Sequence, residues 1–149
     1  MTKTKKNSVT FMKQAIKKMI LQDSEVTKIL LGNEENNYKN VKELLAKNIY
    51  DYLADFSRIK NSTYILYDAN LIQRHEDENV VCVSIIITST VANHDENYNS
   101  YIDLLSERIS DDIIEKWDSK HIQNYYNRAL IYEGLASRNI SFQVSVDYI

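Results

Sequence analysis

Asn79-Val-Val-Cys-Val-Ser-Ile-Ile-Ile-Thr-Ser-Thr-Val91 is the stretch whose reading decides the fold. Two heavy atoms on Cβ stiffen χ1 in valine, isoleucine and threonine, which suits a pleated surface better than a helix. Alternation with period two puts Val81, Val83, Ile85, Ile87 and Val91 on one face, while Val80, Cys82 and Ile86 make the other face partly apolar. Both faces therefore want cover, and the segment predicts an inner strand with helices on one side. A partner subunit or further structure is expected over part of the other.

The segments on either side carry the partners that such a strand needs. Thr63 to Leu71 is rich in β-formers and precedes the polar cluster Gln73 to Asn79, which predicts an antiparallel hairpin with Val80 to Val91. At the end of the chain Ile140, Phe142, Val144, Val146 and Tyr148 alternate with polar residues, the signature of a strand with one dry and one wet face. Arg128 to Glu133 reads as a strand joined to it through a turn over Gly134 to Asn139. Ser119 to Asn127 is polar and ends the preceding helix.

The helical signals are equally definite. Tyr98, Tyr101, Ile102, Leu105, Ile109, Ile113 and Trp117 form an apolar stripe from Asn97 to Trp117, widened by Leu104 and Ile114. Burying about seven such side chains contributes on the order of 10 to 20 kcal/mol before chain entropy, so this helix is expected on the sheet. Ser8 is placed as an N-cap for an amphipathic helix from Val9 to Leu21, with Lys13, Lys17 and Lys18 on a face read as solvated, contact with an acidic partner or with phosphate being the sharper alternative. Asp23 caps a short helix that stops at Gly32. Val41, Leu44, Leu45, Asn48, Ile49, Tyr52, Leu53 and Phe56 continue at helical spacing, although the tyrosine-rich run Ile49 to Ile59 also suits a partly extended chain.

These elements predict one α+β domain over 1–149, with 1–7 a loose polar tail: an antiparallel four-stranded sheet, a long amphipathic helix packed on it, and additional N-terminal helices. The formal charge of -3 offers no basic field for nucleic acid. The longest apolar run is about a third of a membrane span, so no membrane association is expected. The lone cysteine, Cys82, excludes an intramolecular disulfide and suggests a reducing compartment. No helix N-terminus or base stands beside it in sequence, so it reads as a small apolar side chain.

Chemistry-bearing motifs are missing: there is no Gly-rich phosphate loop, no nucleophile elbow and no paired Cys or His at zinc spacing. His75, Glu76, Asp77 and Glu78 crowd one predicted loop and His94, Asp95 and Glu96 another. Ligand types adjacent in sequence are the mark of solvated turns, so no metal, no cofactor and no catalytic residue is expected, His121 included. Two other readings stand beside this one: a small intracellular binding or inhibitor protein, and an enzyme whose site is scattered over loops.

Several segments carry a resemblance. Asp23-Ser-Glu-Val-Thr-Lys-Ile-Leu-Leu-Gly32, Ile49-Tyr-Asp-Tyr52, Ser62-Thr-Tyr-Ile-Leu-Tyr-Asp68, Tyr101-Ile-Asp-Leu-Leu-Ser-Glu-Arg-Ile109 and the C-terminal Gly134 with Ile140-Ser-Phe-Gln-Val-Ser-Val146, in that order, resemble small neck proteins of tailed bacteriophages and phage-tail-like particles. The group comprises tail terminators, tail-completion proteins and head-tail connectors. The resemblance implies a non-enzymatic α+β subunit that assembles with copies of itself, usually six, into a ring contacting the tail tube or connector proteins. DNA would pass only as cargo, and the subunit would reside in a particle assembled in the bacterial cytoplasm. On this reading the loop Glu76, Asp77 and Glu78 is the candidate for facing the bore, and Val80, Cys82 and Ile86 are the candidate interface face.

Overall fold

A computed structural model describes residues 8–31, 48–51, 63–74, 79–90, 97, 100–132 and 135–145. Helices α1 (Ser8–Gln22) and α2 (Ser24–Leu31) come first, followed by strands β1 (Ile49–Asp51), β2 (Thr63–Arg74) and β3 (Asn79–Thr90). Helix α3 (Tyr101–Trp117), a 3-10 turn (Ser119–His121), β4 (Ile122–Tyr132) and β5 (Leu135–Ser145) complete the described chain. The strands lie side by side in the order β1-β2-β3-β5-β4.

The α+β class expected from the sequence holds, and the sheet is larger than expected. It has five strands, and it is mixed: β1 runs parallel to β2, with Ile49 opposite Ile65 and Asp51 opposite Tyr67. Ile49 to Asp51 falls inside the predicted apolar stripe from Val41 to Phe56. Here the extended alternative holds: Ile49 turns into the core, and Asn48 anchors the start of the strand by accepting from Ile65 N at its carbonyl and donating to the carbonyl of Thr63. The rest of that stripe lies outside the described residues, as do the tail 1–7, Gly32, and the clusters His75 to Glu78 and His94 to Glu96.

Strand β3 takes the inner position that its composition demands. It pairs antiparallel with β2 on one side and with β5 on the other. Val81, Val83, Ile85 and Ile87 are fully buried, together with Ile65, Tyr67 and Ala69 of β2 and Ile140, Phe142 and Val144 of β5. Against this face pack α1, through Met12, Ile16 and Ile20, and α3, through Leu105, Ile109, Ile113 and Trp117. Trp117 lies 5.3 Å from Phe142, ring centre to ring centre. The two rings add an aromatic contact to the aliphatic core.

Two expectations along α3 and α1 need correcting. Ile114 does not widen the buried stripe; it is 46% exposed, because it sits one position past Ile113 and so rotates about 100° off the sheet. Lys13 is not on a solvated face: its ammonium is 3.0 Å from Asp51 and 3.6 Å from Asp68, fastening α1 to the β1 side of the sheet.

The closing hairpin is longer than the sequence period suggests. Gln123 faces Gln143 and Tyr126 faces Ser141, so Asn124 and Tyr125 together oppose one residue, Phe142. This bulge puts the two halves of β4 out of phase, which is why Ser119 to Asn127 reads as a loop in a period-two search. Asn124 takes φ 53°, a left-handed conformation that asparagine tolerates better than most residues. The break also turns Tyr125 toward α3, where its hydroxyl donates to Ser110 Oγ. Residues 135–139, expected in a turn, are paired with both β3 and β4. Ala-Ser-Arg-Asn has little β-propensity, and hydrogen bonding on both sides of β5 overrides it.

These placements give two expected outcomes in chemical denaturation. Leu105→Ala removes a fully buried side chain and is expected to cost about 2 to 5 kcal/mol, whereas Ile114→Ala on the same helix stays within about 0.5 kcal/mol. At the bulge, Asn124→Val forces a β-branched residue into positive φ and is expected to cost about 1 to 2 kcal/mol, with Asn124→Gly close to neutral.

Candidate interaction face and a buried carboxyl pair

The second face of the sheet is built from the residues that alternate with the core. Tyr64, Leu66, Val80, Cys82, Ser84, Ile86, Asn139 and Gln143 are all partly accessible there, and among the described residues no helix packs over them. The candidate interface residues Val80, Cys82 and Ile86 thus share one face, as expected, with Leu66 directly opposite Ile86 on β2. Tyr50 and Tyr64 meet edge to face with ring centres 6.4 Å apart. Cys82 is half-buried, not a core side chain, and its Sγ lies 3.7 Å from Ser141 Oγ. Thr88 Oγ1 and Ser137 Oγ bond at 3.1 Å further along the same side of the sheet, where Thr88, like Ser141, is buried.

The result is a surface in which aliphatic and aromatic patches alternate with short hydroxyl side chains. Among the described residues this face brings together no acid, base and nucleophile in a catalytic arrangement, and its mixed polar and apolar composition suits contact with another protein. Strand β4 borders it as the outer strand, so the backbone groups on its far side face no other described strand. The bulge at Asn124 and the exposed Arg128, stacked 4.6 Å from the Tyr126 ring, are features that blunt such an edge. The other candidate site residues, Glu76, Asp77 and Glu78, lie outside the described residues.

A polar cluster not singled out in the sequence lies on the opposite side, where the α1–α2 corner meets α3. Asp23 is almost completely buried, its side chain 3% exposed. One of its carboxylate oxygens accepts from the backbone N–H groups of Glu25 and Val26, at 3.0 and 3.4 Å, which makes it the cap of α2 that its position predicts. The other oxygen accepts from Arg108 Nε at 2.6 Å. Asp112, one turn further along α3, brings a second carboxyl to the same place, and its Oδ2 is buried with no donor among the described residues. A pocket of about 490 Å³ opens beside the group, bounded by Met19 and Gln22 of α1 and by Glu115 and Lys116 of α3.

Two carboxyl groups in contact favour one proton between them. Burial first, then the hydrogen bond with Asp23 and its charge, push Asp112 up to about 7, against the opposing influence of Arg108. For Asp23, burial alone would raise the pKa, but the hydrogen bonds from Asp112, Arg108 and Val26 outweigh it and hold the group below the ordinary carboxylate range. The proton thus resides on Asp112 and supplies the donor that its neighbour accepts. In sequence the only hint was the i, i+4 pair Arg108 and Asp112; the third member, Asp23, is 85 residues from Arg108.

Compared with known proteins, the chain matches no family model and no curated protein.

Asp23→Ala removes the α2 cap and the acceptor of Arg108 in one step. A loss of about 1 to 2 kcal/mol is expected near pH 5. The loss should shrink above neutrality, where the substitution also removes one of two like charges; urea denaturation at the two pH values reads the difference.

Proposed function

We propose that this chain is a structural, non-enzymatic subunit of the neck of a phage or phage-like tail. It closes with copies of itself, six in the simplest case, into a ring that terminates the tail tube or joins it to the head connector. The observation that carries the reading is the two-sided character of β3. Its Val80, Cys82 and Ile86 stay partly accessible beside Leu66 on a face that the described helices do not cover. A ring-forming subunit has a use for such a surface, because a heterologous contact repeated around a circle covers it in every copy.

The order of segments that resembles the neck proteins supports the same reading. So do the described elements: two short N-terminal helices, a hairpin, a long helix on the sheet and a closing hairpin. In this role DNA is cargo. A bore lined by the acidic loop Glu76 to Glu78 would let phosphates slide, whereas a basic lining would hold them in a salt-dependent grip.

Two measurements test the proposal. Electron microscopy of the assembled particle is expected to place the chain in the neck with rotational symmetry; its absence from the neck, or its presence without symmetry, overturns the assignment. Ile86→Lys is expected to keep a cooperative melting transition in the isolated subunit and to prevent its incorporation into particles. Normal particles containing the variant would remove the open face from the interface.

A further inference from the structure

The corner at Asp23 concentrates more tasks in one side chain than its surroundings require, and independently of the neck reading we propose that it is a proton-operated latch. With one proton on the Asp23–Asp112 pair, the latch holds α2 against α3; when that proton leaves, it loosens.

The geometry sets out the mechanism. Asp23 caps α2 through the N–H groups of Glu25 and Val26, receives Arg108 from α3, and faces the carboxyl of Asp112. A displacement of this one carboxylate therefore releases the first turn of α2 and the α3 contact together. While Asp112 is protonated, its O–H has an acceptor in Asp23 and the pair carries one negative charge, matched by Arg108. Loss of the proton to solvent leaves two carboxylates in contact and the buried Oδ2 of Asp112 with no donor among the described residues, an arrangement that costs far more than either charge alone.

The surrounding charges relieve it only in part, through Arg108. From α3 come Arg108, Glu115 and Lys116; from α2 comes Glu25, whose carboxylate is 3.8 Å from Arg108 and competes for the same guanidinium. From α1 come Met19 and Gln22, neither of them charged. Relief is available through movement. The pocket of about 490 Å³ gives Asp112 a route toward water, and α2 is a helix of eight residues that packs mainly on α3 and α1. So short a helix has little stability without its cap and its tertiary contacts.

The direction of the pH effect follows from linkage. Unfolded Asp112 loses its proton near 3.8 and the folded group keeps it to about 7. Between those values the folded state binds the extra proton, so this contribution to stability is complete below the lower value and is lost as pH rises toward the upper one. The lowered Asp23 acts the other way, contributing above the ordinary carboxylate value and failing in stronger acid. The latch is therefore closed in mild acid and opens as pH passes neutrality.

Amide hydrogen exchange on the full chain, corrected for intrinsic rates, reads the latch at about pH 5.5 and about pH 8.5. Protection of the α2 amides is expected to fall about tenfold or more relative to those of β3 across this interval in the natural protein, and to stay constant in Asp112→Asn, whose amide still donates to Asp23 but does not ionise. Unchanged relative protection of α2 in the natural protein, or an equal fall in the variant, overturns the proposal. Should the variant fail to fold, carbon-13 titration of the Asp112 carboxyl in the natural protein decides: a midpoint near neutrality supports the latch, and a midpoint in the ordinary aspartate range sinks it.

Discussion

Five strands side by side have two faces and two edges, and the described helices of this chain cover one face. All else in the architecture answers to that shortage of cover around β3, the strand hydrogen-bonded on both sides. On the covered face the solution is dense packing: α1 and α3 lie across β2, β3 and β5 and exclude water from every alternate side chain of β3 between Val81 and Ile87. On the other face the same strand keeps smaller or shorter residues near its centre. Cys82 and Ser84 sit opposite Gln143 and Ser141, and Ile86 sits opposite Asn139. That mixture limits the apolar area left to water without surrendering it, a balance suited to a surface that meets a partner after folding.

Three long-range ion pairs then fix how the helices sit, each joining parts of the chain far apart in sequence. Lys13 holds α1 to the β1 side, Arg108 holds α3 to the α1–α2 corner, and Arg138 reaches from β5 to Asp103 on α3 at 2.8 Å while also bonding Asn127. Arg108, Asp51 and Asp103 are each more than a third exposed, so the pairs contribute little energy individually. Their effect is on geometry: each ties a helix to a defined point on the sheet or on another helix.

What was legible in the sequence follows from how local each signal is. The inner strand, the hairpin with β2, the α3 stripe from Ile102 to Trp117 and the Asp23 cap are all written within a few residues, by alternation, by helical spacing or by a side chain reaching its own backbone. At Ile49 only the extended conformation was legible, as the alternative to a helix; the parallel pairing with β2 was not, because three residues placed by Asn48 and Thr63 carry no period of their own. Strand β4 was half hidden by its bulge, which reverses the alternation at Asn124. The exposed Ile114 shows the limit of an apolar stripe, which marks a range of angles wider than the sheet can cover. The open-face set Val80, Cys82 and Ile86 was legible for the same reason as the core, since faces alternate whether or not anything lies on them. The carboxyl pair was invisible, because its members meet only when the α1–α2 corner docks on α3.

The hydrogen bond from Asn79 to Ser8 Oγ spans 71 residues, and the Arg108 contact with Asp23 spans 85. Both tie the first helices to parts of the chain made much later. During synthesis α1 and α2 leave the ribosome well before β2 and β3 exist, and helices of 15 and 8 residues do not hold their shape in water by themselves. Their apolar side chains therefore wait, exposed, until the β2–β3 hairpin presents a surface and α3 supplies the arginine. The packing of these first helices therefore depends on segments made after them, and until those segments arrive the apolar faces of α1 and α2 are open to contact with the wrong partner.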